Sequence, residues 1–136
     1  MKTVKDAMTA KPVTVGRTTS AAEAASLMAR GEFGPLPVVE GSKLIGIVTD
    51  RDLVIRVMAK GRDPKQTPVG DVCTQDPVAV PADEGLDEAI GLMERHQVRR
   101  LPVVKEDRLV GMLSQADLAR HQPHERTGQL LEELSR

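Results

Sequence analysis

Apolar and polar positions alternate along the chain in a way that predicts short strands and short helices. Two runs rich in valine, isoleucine and leucine flank a polar turn, a pattern typical of a β-hairpin. Ser20 and Thr49 each precede apolar residues at helical spacing, so each is expected to begin a helix. The predicted elements are one helical turn near 4–8, a strand at 12–15, a helix ending at Gly31, hairpin strands at 36–39 and 44–48, and a helix from Thr49 to about Ala59.

This pattern occurs twice. Residues 4–53 align without a gap with residues 69–118, 65 positions later, and 19 of the 50 aligned positions are identical. A chain that repeats itself in register contains two copies of one supersecondary unit. The second copy predicts a strand at 78–80, a helix from Asp83 to Arg95, hairpin strands at 101–104 and 109–113, and a helix from Ser114. Each copy is therefore expected to be a β-α-β-β-α unit.

One such unit has too small a core to be secure alone. Two units packed sheet-to-sheet about a pseudo-twofold axis would share a core and give an α/β (α+β) fold. Such symmetry leaves two equivalent clefts where the copies meet, and ligands usually bind in clefts of this kind. We expect a first domain at 1–60, a linker at 61–68, a second domain at 69–120, and a tail at 121–136 whose Leu130, Leu131 and Leu134 predict an amphipathic helix packed on this chain or on a symmetry mate.

Composition narrows the class of protein. The 136 residues are 40% hydrophobic and 29% charged, the formal net charge is −1, and Phe33 is the only aromatic residue, so we expect an aliphatic core. A nucleic-acid platform would need a basic patch and stacking aromatics, and is not expected. No apolar run approaches the roughly 18 residues of a membrane span. With one cysteine and no signal-like segment, the expected location is cytoplasmic.

Chemistry-bearing residues give little support to a metal site or an enzyme. The histidines His96, His121 and His124 have no carboxylate or cysteine that completes a metal set, so no metal is expected. Cys73 takes the place of Met8 in the repeat, which favours a buried apolar filler. No histidine lies in register to activate a nucleophile, so the enzyme interpretation has no nucleophile–base pair.

Two aligned segments remain as candidate sites, residues 46–52 and 111–117. Each has a glycine inside a strand, an apolar pair, a hydroxyl, and an aspartate three residues after the hydroxyl. One interpretation is a helix N-cap, with the hydroxyl and carboxylate serving the first turn. The other is a ribose site, because a carboxylate accepts two hydrogen bonds from a cis-diol and a strand glycine often marks close approach of another group. The two interpretations agree on the hydroxyl and compete for the carboxylate.

The stretch Val4–Leu118 resembles a tandem pair of CBS domains, the Bateman module. The resemblance is carried by the segments Met8–Val13 and Val72–Val78, by the Leu-Pro-Val-Val runs, and by the two Gly-h-h-[Ser/Thr]-x-x-Asp motifs, where h is an apolar residue. It implies the β-α-β-β-α unit and a cleft that binds an adenosine nucleotide or derivative, such as AMP, ADP, ATP, NAD(H) or S-adenosylmethionine. No further cofactor is expected.

The resemblance also implies roles for individual residues. Asp52 and Asp117 would hold ribose, and Thr49 and Ser114 would lie near the sugar or α-phosphate. Thr9 would join Ser114 and Asp117, while Thr74 would join Thr49 and Asp52. Further ligand-binding positions are Val13 and Val78 beside the adenine, Arg99 and Arg100 facing phosphates, and Arg51 inside the first motif. Because these charged positions differ between the copies, the two clefts are expected to be unequal.

The function expected from this resemblance is a non-enzymatic regulatory module that senses an adenine nucleotide, and hence cellular energy status. It looks similar to small stand-alone bacterial CBS-pair proteins. The resemblance implies a homodimer, and the sensor would act on an unidentified protein partner. The alternative is a structural or dimerisation module with empty clefts, in which the motifs serve only as helix caps.

Overall fold

The computed structural model of the chain describes residues 2–31 and 34–121. These residues divide into two compact units. One, the continuous unit, is Val13–Pro77, and the other, the composite unit, joins Met1–Pro12 to the chain from Val78 onward. The compact units therefore differ from the sequence repeats, since each unit takes its first segment from the other repeat. The predicted tail helix at 121–136 lies outside the described residues, apart from His121.

The elements are short and follow the predicted order. In chain order they are α1 (Val4–Ala7), β1 (Thr9–Ala10), β2 (Val15–Gly16), α2 (Ala21–Gly31), β3 (Leu36–Glu40), β4 (Lys43–Val48), α3 (Asp50–Leu53) with a π-helical turn at Val54–Met58, a 3-10 turn at Val69–Asp71, β5 (Thr74–Gln75), β6 (Val80–Pro81), α4 (Leu86–His96), β7 (Arg100–Lys105), β8 (Arg108–Ser114) and α5 (Gln115–Ala119). The predicted mixed α/β class is confirmed.

Each unit carries the same sheet pattern. In the continuous unit β2 is parallel to β3, β3 and β4 form the predicted hairpin, and β5 pairs antiparallel with the far side of β4. In the composite unit β6 is parallel to β7, β7 and β8 form the second hairpin, and β1 pairs antiparallel with β8. The second hairpin turns through Glu106 and Asp107, whose positive φ angles of 53° and 67° suit a tight two-residue turn.

The cores are aliphatic, as the sequence predicts. The apolar faces of the strands and of the long helix in each unit close over one cluster of buried side chains. The largest fully buried side chains are Leu36, Val38, Val48, Val57 and Val69 in the continuous unit, and Val4, Ile90, Met93, Leu101, Leu113 and Leu118 in the composite unit. Because Val4 and Ala7 lie in the composite core, α1 is an integral part of that unit.

Several predicted boundaries are wrong by a few residues. The second long helix begins at Leu86 behind the N-cap Gly85, where the sequence predicted Asp83. It ends at Gln97, whose left-handed backbone (φ 54°) closes the last turn. The strands predicted at 12–15 and 78–80 shrink to Val15–Gly16 and Val80–Pro81. The short strands β1 and β5 were not predicted.

Candidate functional site

The first motif begins helix α3 with a complete capping box. The N–H of Asp52 donates to Thr49 Oγ1 at 3.1 Å, and the N–H of Thr49 donates to Asp52 Oδ2 at 2.9 Å. Thr49 has extended backbone angles, as an N-cap requires. The box buries the carboxylate, leaving Asp52 9% exposed.

The second motif repeats this geometry at the start of α5. The N–H of Asp117 donates to Ser114 Oγ at 3.1 Å, and the N–H of Ser114 donates to Asp117 Oδ2 at 2.8 Å. Asp117 is 4% exposed. Both motifs therefore satisfy orphan N–H groups of a helix start, and the capping interpretation of the hydroxyls is correct.

The second carboxylate oxygen of each motif faces an arginine that the sequence analysis missed. Arg56 Nε lies 3.9 Å from Asp52 Oδ1, and Arg120 Nη2 donates to Asp117 Oδ1. These arginine side chains are 48% and 63% exposed. Arg56 also donates from Nη1 to the carbonyl oxygens of Val72 and Cys73, at 3.1 and 3.3 Å. The positions of the two arginines, four and three residues after the aspartate, would have revealed them, because residues at these spacings share a helix face.

The two oxygens of each carboxylate have different partners, so the helix cap and a ligand do not have to compete for the same oxygen. The cap uses Oδ2 of Asp52 and of Asp117, while Oδ1 faces a partly exposed arginine side chain. A hydroxyl donor can replace the guanidinium at Oδ1 while the cap stays formed, because an ionised carboxylate has about four lone-pair sites. The motif can thus begin a helix and still accept a hydrogen bond from a ligand.

The strand glycines mark a close approach, and the approaching group is the chain itself. A Cβ on Gly46 would lie 2.8 Å from Cys73 Sγ and 2.9 Å from the carbonyl oxygen of Thr74. A Cβ on Gly111 would lie 2.5 Å from Met8 Sδ and 2.8 Å from the carbonyl oxygen of Thr9. Glycine is needed at both positions because β5 pairs with β4 at Gly46, and β1 pairs with β8 at Gly111. The crossing segments of the chain therefore account for both glycines, which give no independent evidence for a ligand.

The same crossings bring Thr9 and Thr74 to the motifs. In register, Thr9 faces Met112 and Thr74 faces Ile47. Ser114 lies two residues after Met112, on the same face of β8, and Thr49 lies two residues after Ile47. The structure therefore places Thr9 in one compact unit with Ser114 and Asp117, and Thr74 in one unit with Thr49 and Asp52. These are the groupings that the family resemblance implies.

The candidate phosphate-facing residues lie at the start of the second hairpin. Arg100 is exposed and faces Ser114 across the β7–β8 pair. The neighbouring Arg99 is also exposed, and its carbonyl accepts a hydrogen bond of 2.9 Å from the N–H of Gln115. Both arginines thus lie beside the second motif, in the composite unit.

The aligned positions of the continuous unit have a different charge pattern. Gly34 takes the place of Arg99, and a Cβ there would lie 2.9 Å from Asp50 Oδ1. Asp50 takes the place of Gln115, and the predicted site residue Arg51 is exposed on α3. The two motif regions therefore differ in charge.

The two valines predicted beside adenine differ in exposure. Val13 is 47% exposed, whereas Val78 is half-buried against the core of the composite unit. Their role in binding stays a prediction.

Cys73 has the surroundings of a structural residue. It is 7% exposed within the core of the continuous unit, and burial raises the pKa of its thiol above 9.0. Within 2–31 and 34–121 no group of three or more histidine, cysteine or acidic side chains is placed to hold a metal ion. The described helices include none long and apolar enough to cross a membrane. His124 lies outside the described part of the chain.

Comparisons with known proteins agree with this architecture. The family model for the CBS domain matches twice, at residues 4–59 and 69–124. The CBS domain-containing protein YhcV of Bacillus subtilis (strain 168) is 43% identical over 136 residues, which cover 99% of this chain and 96% of that protein. Hypoxic response protein 1 of Mycobacterium tuberculosis is 40% identical over 124 residues, covering 90% of this chain and 87% of that one.

Solved structures show the same fold. The crystal structure of Hypoxic Response Protein I with two coordinated zinc ions has a TM-score of 0.83 and 39% identity, and it covers 90% of this chain and 100% of that one. The crystal structure of CBSX2 in complex with AMP has a TM-score of 0.78 and 30% identity, and it covers 88% of this chain and 95% of that one. With two family-model matches spanning most of its length, the chain belongs to the CBS-domain proteins and carries a pair of CBS domains.

Proposed function

We propose that the chain is a non-enzymatic regulatory module that binds an adenosine nucleotide or derivative through its two motif aspartates. The observation that carries this proposal is the division of labour within each carboxylate. Oδ2 caps a helix, whereas Oδ1 faces a partly exposed arginine. A ribose hydroxyl can take the place of that arginine at Oδ1, and Arg120, displaced from Asp117, would then be available to pair with a phosphate.

The related structures support the class of ligand. CBSX2, with the same fold and 30% identity, is described in complex with AMP. In this chain each motif aspartate has a hydroxyl beside it and a threonine on a crossing strand of the same compact unit. We propose that Thr9, Ser114 and Asp117 act on one ligand, and Thr74, Thr49 and Asp52 on another.

We propose further that the two sites bind with unequal affinity. The composite unit presents Arg99 and Arg100 beside its motif, whereas the continuous unit has Gly34 and Asp50 at the positions of Arg99 and Gln115. Because phosphate binding gains most from cations, the site with Asp117 should prefer a phosphorylated adenosine. The proposed setting is the cytoplasm, where adenine nucleotides report on energy status.

Calorimetric titration tests the proposal. The protein is unfolded and refolded to remove carried ligand, then titrated with AMP, ADP, ATP, NADH and S-adenosylmethionine. Asp117→Asn should remove the tighter site, because asparagine keeps one cap acceptor but replaces the other oxygen with a donor. Asp52→Asn should remove the weaker site. Asp71→Asn, which alters an exposed ion pair with Arg62, should change neither.

Two results would contradict the proposal. Absence of binding to all five ligands would refute nucleotide binding, and two sites of equal affinity would refute the asymmetry. A second candidate function, a structural module whose motifs only cap helices, is favoured by the completeness of both capping boxes. For that candidate, Asp117→Asn and Asp52→Asn alter stability alone, since there is no affinity to lose.

We propose that the module acts as a homodimer that passes ligand occupancy to a protein partner. Val54, Ile55 and Met58 are 54%, 41% and 72% exposed on one helical segment of the continuous unit. Clustered exposed apolar residues are typical of an interaction surface. Met58→Glu should convert the dimer to a monomer in light scattering, whereas Lys60→Glu, an exposed change nearby, should not. A wild-type chain that is monomeric at all concentrations would refute the dimer.

A further inference from the structure

The composite unit has a hollow whose lining includes no residue of either motif. Its volume is about 640 Å³, and its floor is apolar, formed by Met8, Ala82, Val104 and Val110. Lys5 and Lys105 line its rim, and so do the acidic residues Asp83, Glu106 and Asp107. Val104 and Val110 are half-buried, so the floor keeps apolar surface within reach of solvent.

The continuous unit fills the equivalent place with its own side chain. Arg17, aligned with Ala82, crosses Gly70, where a Cβ would lie 2.5 Å from Arg17 Cγ. Its guanidinium then reaches Glu40, aligned with Lys105, at 3.0 Å. In that unit, therefore, an aliphatic stem and a salt bridge occupy the place aligned with the hollow.

The local backbone is the same in the two units, so the difference lies in the side chains. The N–H of Gly70 donates to the Arg17 carbonyl at 2.9 Å, and the N–H of Lys5 donates to the Ala82 carbonyl at 2.8 Å. Lys5 carries a Cβ where the arginine stem would pass, so it excludes an arginine at position 82. The hollow thus lacks this arginine stem, and its rim charge is reversed from Glu40 to Lys105.

We propose that the C-terminal segment 122–136 of the same chain docks in this hollow. Its sequence Leu130-Leu-Glu-Glu-Leu134 supplies aliphatic side chains for the floor and carboxylates for the two lysines. This is the arrangement of Arg17 and Glu40 with the charges exchanged. Burial of these leucine side chains favours docking and is opposed by the cost of ordering the segment.

The described chain ends where such a segment has to begin. His121 Nδ1 lies 3.1 Å from Lys2 Nζ, and Lys2 precedes Thr3, which lines the hollow. The 15 residues of 122–136 span about 22 Å as a helix, which is ample for a path that starts beside α1.

Methyl NMR of the full chain tests the docking. Nuclear Overhauser contacts should join methyl groups of Leu130, Leu131 or Leu134 to those of Val104 and Val110. The triple variant L130S/L131S/L134S should lose these contacts and shift both valine signals. The aligned methyls of Val39 and Ile45, in the unit where Arg17 occupies the aligned place, should stay unchanged. Gln129→Ser, a polar change within the same segment, should leave all these signals in place.

A variant that fills the hollow provides a second test. K5G/A82R/K105E transplants the Arg17–Glu40 arrangement into the composite unit and should abolish the tail contacts while Leu113 keeps its native shift. Absence of tail contacts in the unaltered chain would overturn the proposal. Contacts seen only between differently labelled chains would also overturn it, because the occupant would then be the tail of a second copy.

Discussion

Replacing Gly111 by alanine puts a methyl group where β1 already runs. The new Cβ would lie 2.8 Å from the carbonyl oxygen of Thr9, and 2.5 Å from Met8 Sδ. The methionine side chain can rotate away, but the carbonyl belongs to a strand paired with β8. Reaching an ordinary separation of about 3.5 Å requires the two strands to part by about 0.7 Å.

This displacement should be costly. Overpacking of a well-packed site costs about 1–3 kcal/mol. We therefore expect Gly111→Ala to lower the free energy of unfolding by about 2 kcal/mol. For a chain of 136 residues, an unfolding entropy of about 2.1 cal/mol/K per residue converts this into a fall in Tm of about 7 °C. Gly46→Ala should behave alike, since its Cβ would meet the Thr74 carbonyl at 2.9 Å.

Urea unfolding followed by circular dichroism measures the effect, and Gly91→Ala is the matched control. Gly91 lies inside α4, where a Cβ would meet only Arg95 Nη1 at 3.5 Å. Alanine there should stabilise the chain by about 0.5–1 kcal/mol, because glycine is a poor helix former. The reasoning is refuted if Gly111→Ala is neutral, or if all three variants destabilise equally.

Three further predictions concern single side chains. The hydrogen bond from the Thr3 backbone N–H holds the pKa of the Asp6 carboxyl below its usual value of 3.8. The ionised carboxylate therefore stabilises the fold above pH 3.8, and this stabilisation is lost as the pH falls through the lowered pKa. In a plot of urea midpoint against pH, Asp6→Asn should flatten the fall at acid pH. Because Cys73 is buried and burial raises the pKa of its thiol, iodoacetamide should label the folded chain more slowly than the urea-unfolded chain, and equal rates would contradict this burial. Ser114→Ala should cost about 1 kcal/mol of stability in thermal unfolding through the lost cap, whereas an unchanged Tm would show the cap to be unimportant.

The hairpins and the motif helices could be predicted from sequence because their signals are local. Valine-rich runs around Gly41 or around Glu106 favour a hairpin whatever surrounds them. Thr49 and Ser114, each followed by an aspartate at the third position, favour a helix start in the same way. Each element was found within a few residues of its observed place.

Features that depend on contacts between distant parts of the chain could not be predicted from the sequence. Strands β1 and β5 have two residues each, are exposed, and gain their pairing only from the strands that they cross. Gly46 and Gly111 indicate a close approach, but sequence alone does not say whether a ligand or a backbone approaches. The exchange of first segments is equally hidden, because both segments carry nearly the same pattern.

The sequence names the residues of the candidate site, and their role in binding stays a prediction, but it does not give the site's atomic detail. The aspartates, hydroxyls and threonines are grouped as the family resemblance implies, although their contact with a ligand stays a prediction. Arg56 and Arg120 were missed even though their helical spacing from the aspartates is visible in the sequence. The assignment of Oδ2 to the cap and Oδ1 to an arginine requires coordinates, since both oxygens are equivalent in the sequence.

Because the composite unit takes α1 and β1 from the start of the chain, the segment that is duplicated in the gene differs from the unit that folds. A fragment comprising only 69–121 would leave uncovered the core that Val4 and Ala7 close. A circular permutant restores contiguity: with His121 joined to Lys2, whose side chains already meet at 3.1 Å, a chain running 13–121 and then 2–12 encodes each folding unit as one uninterrupted stretch.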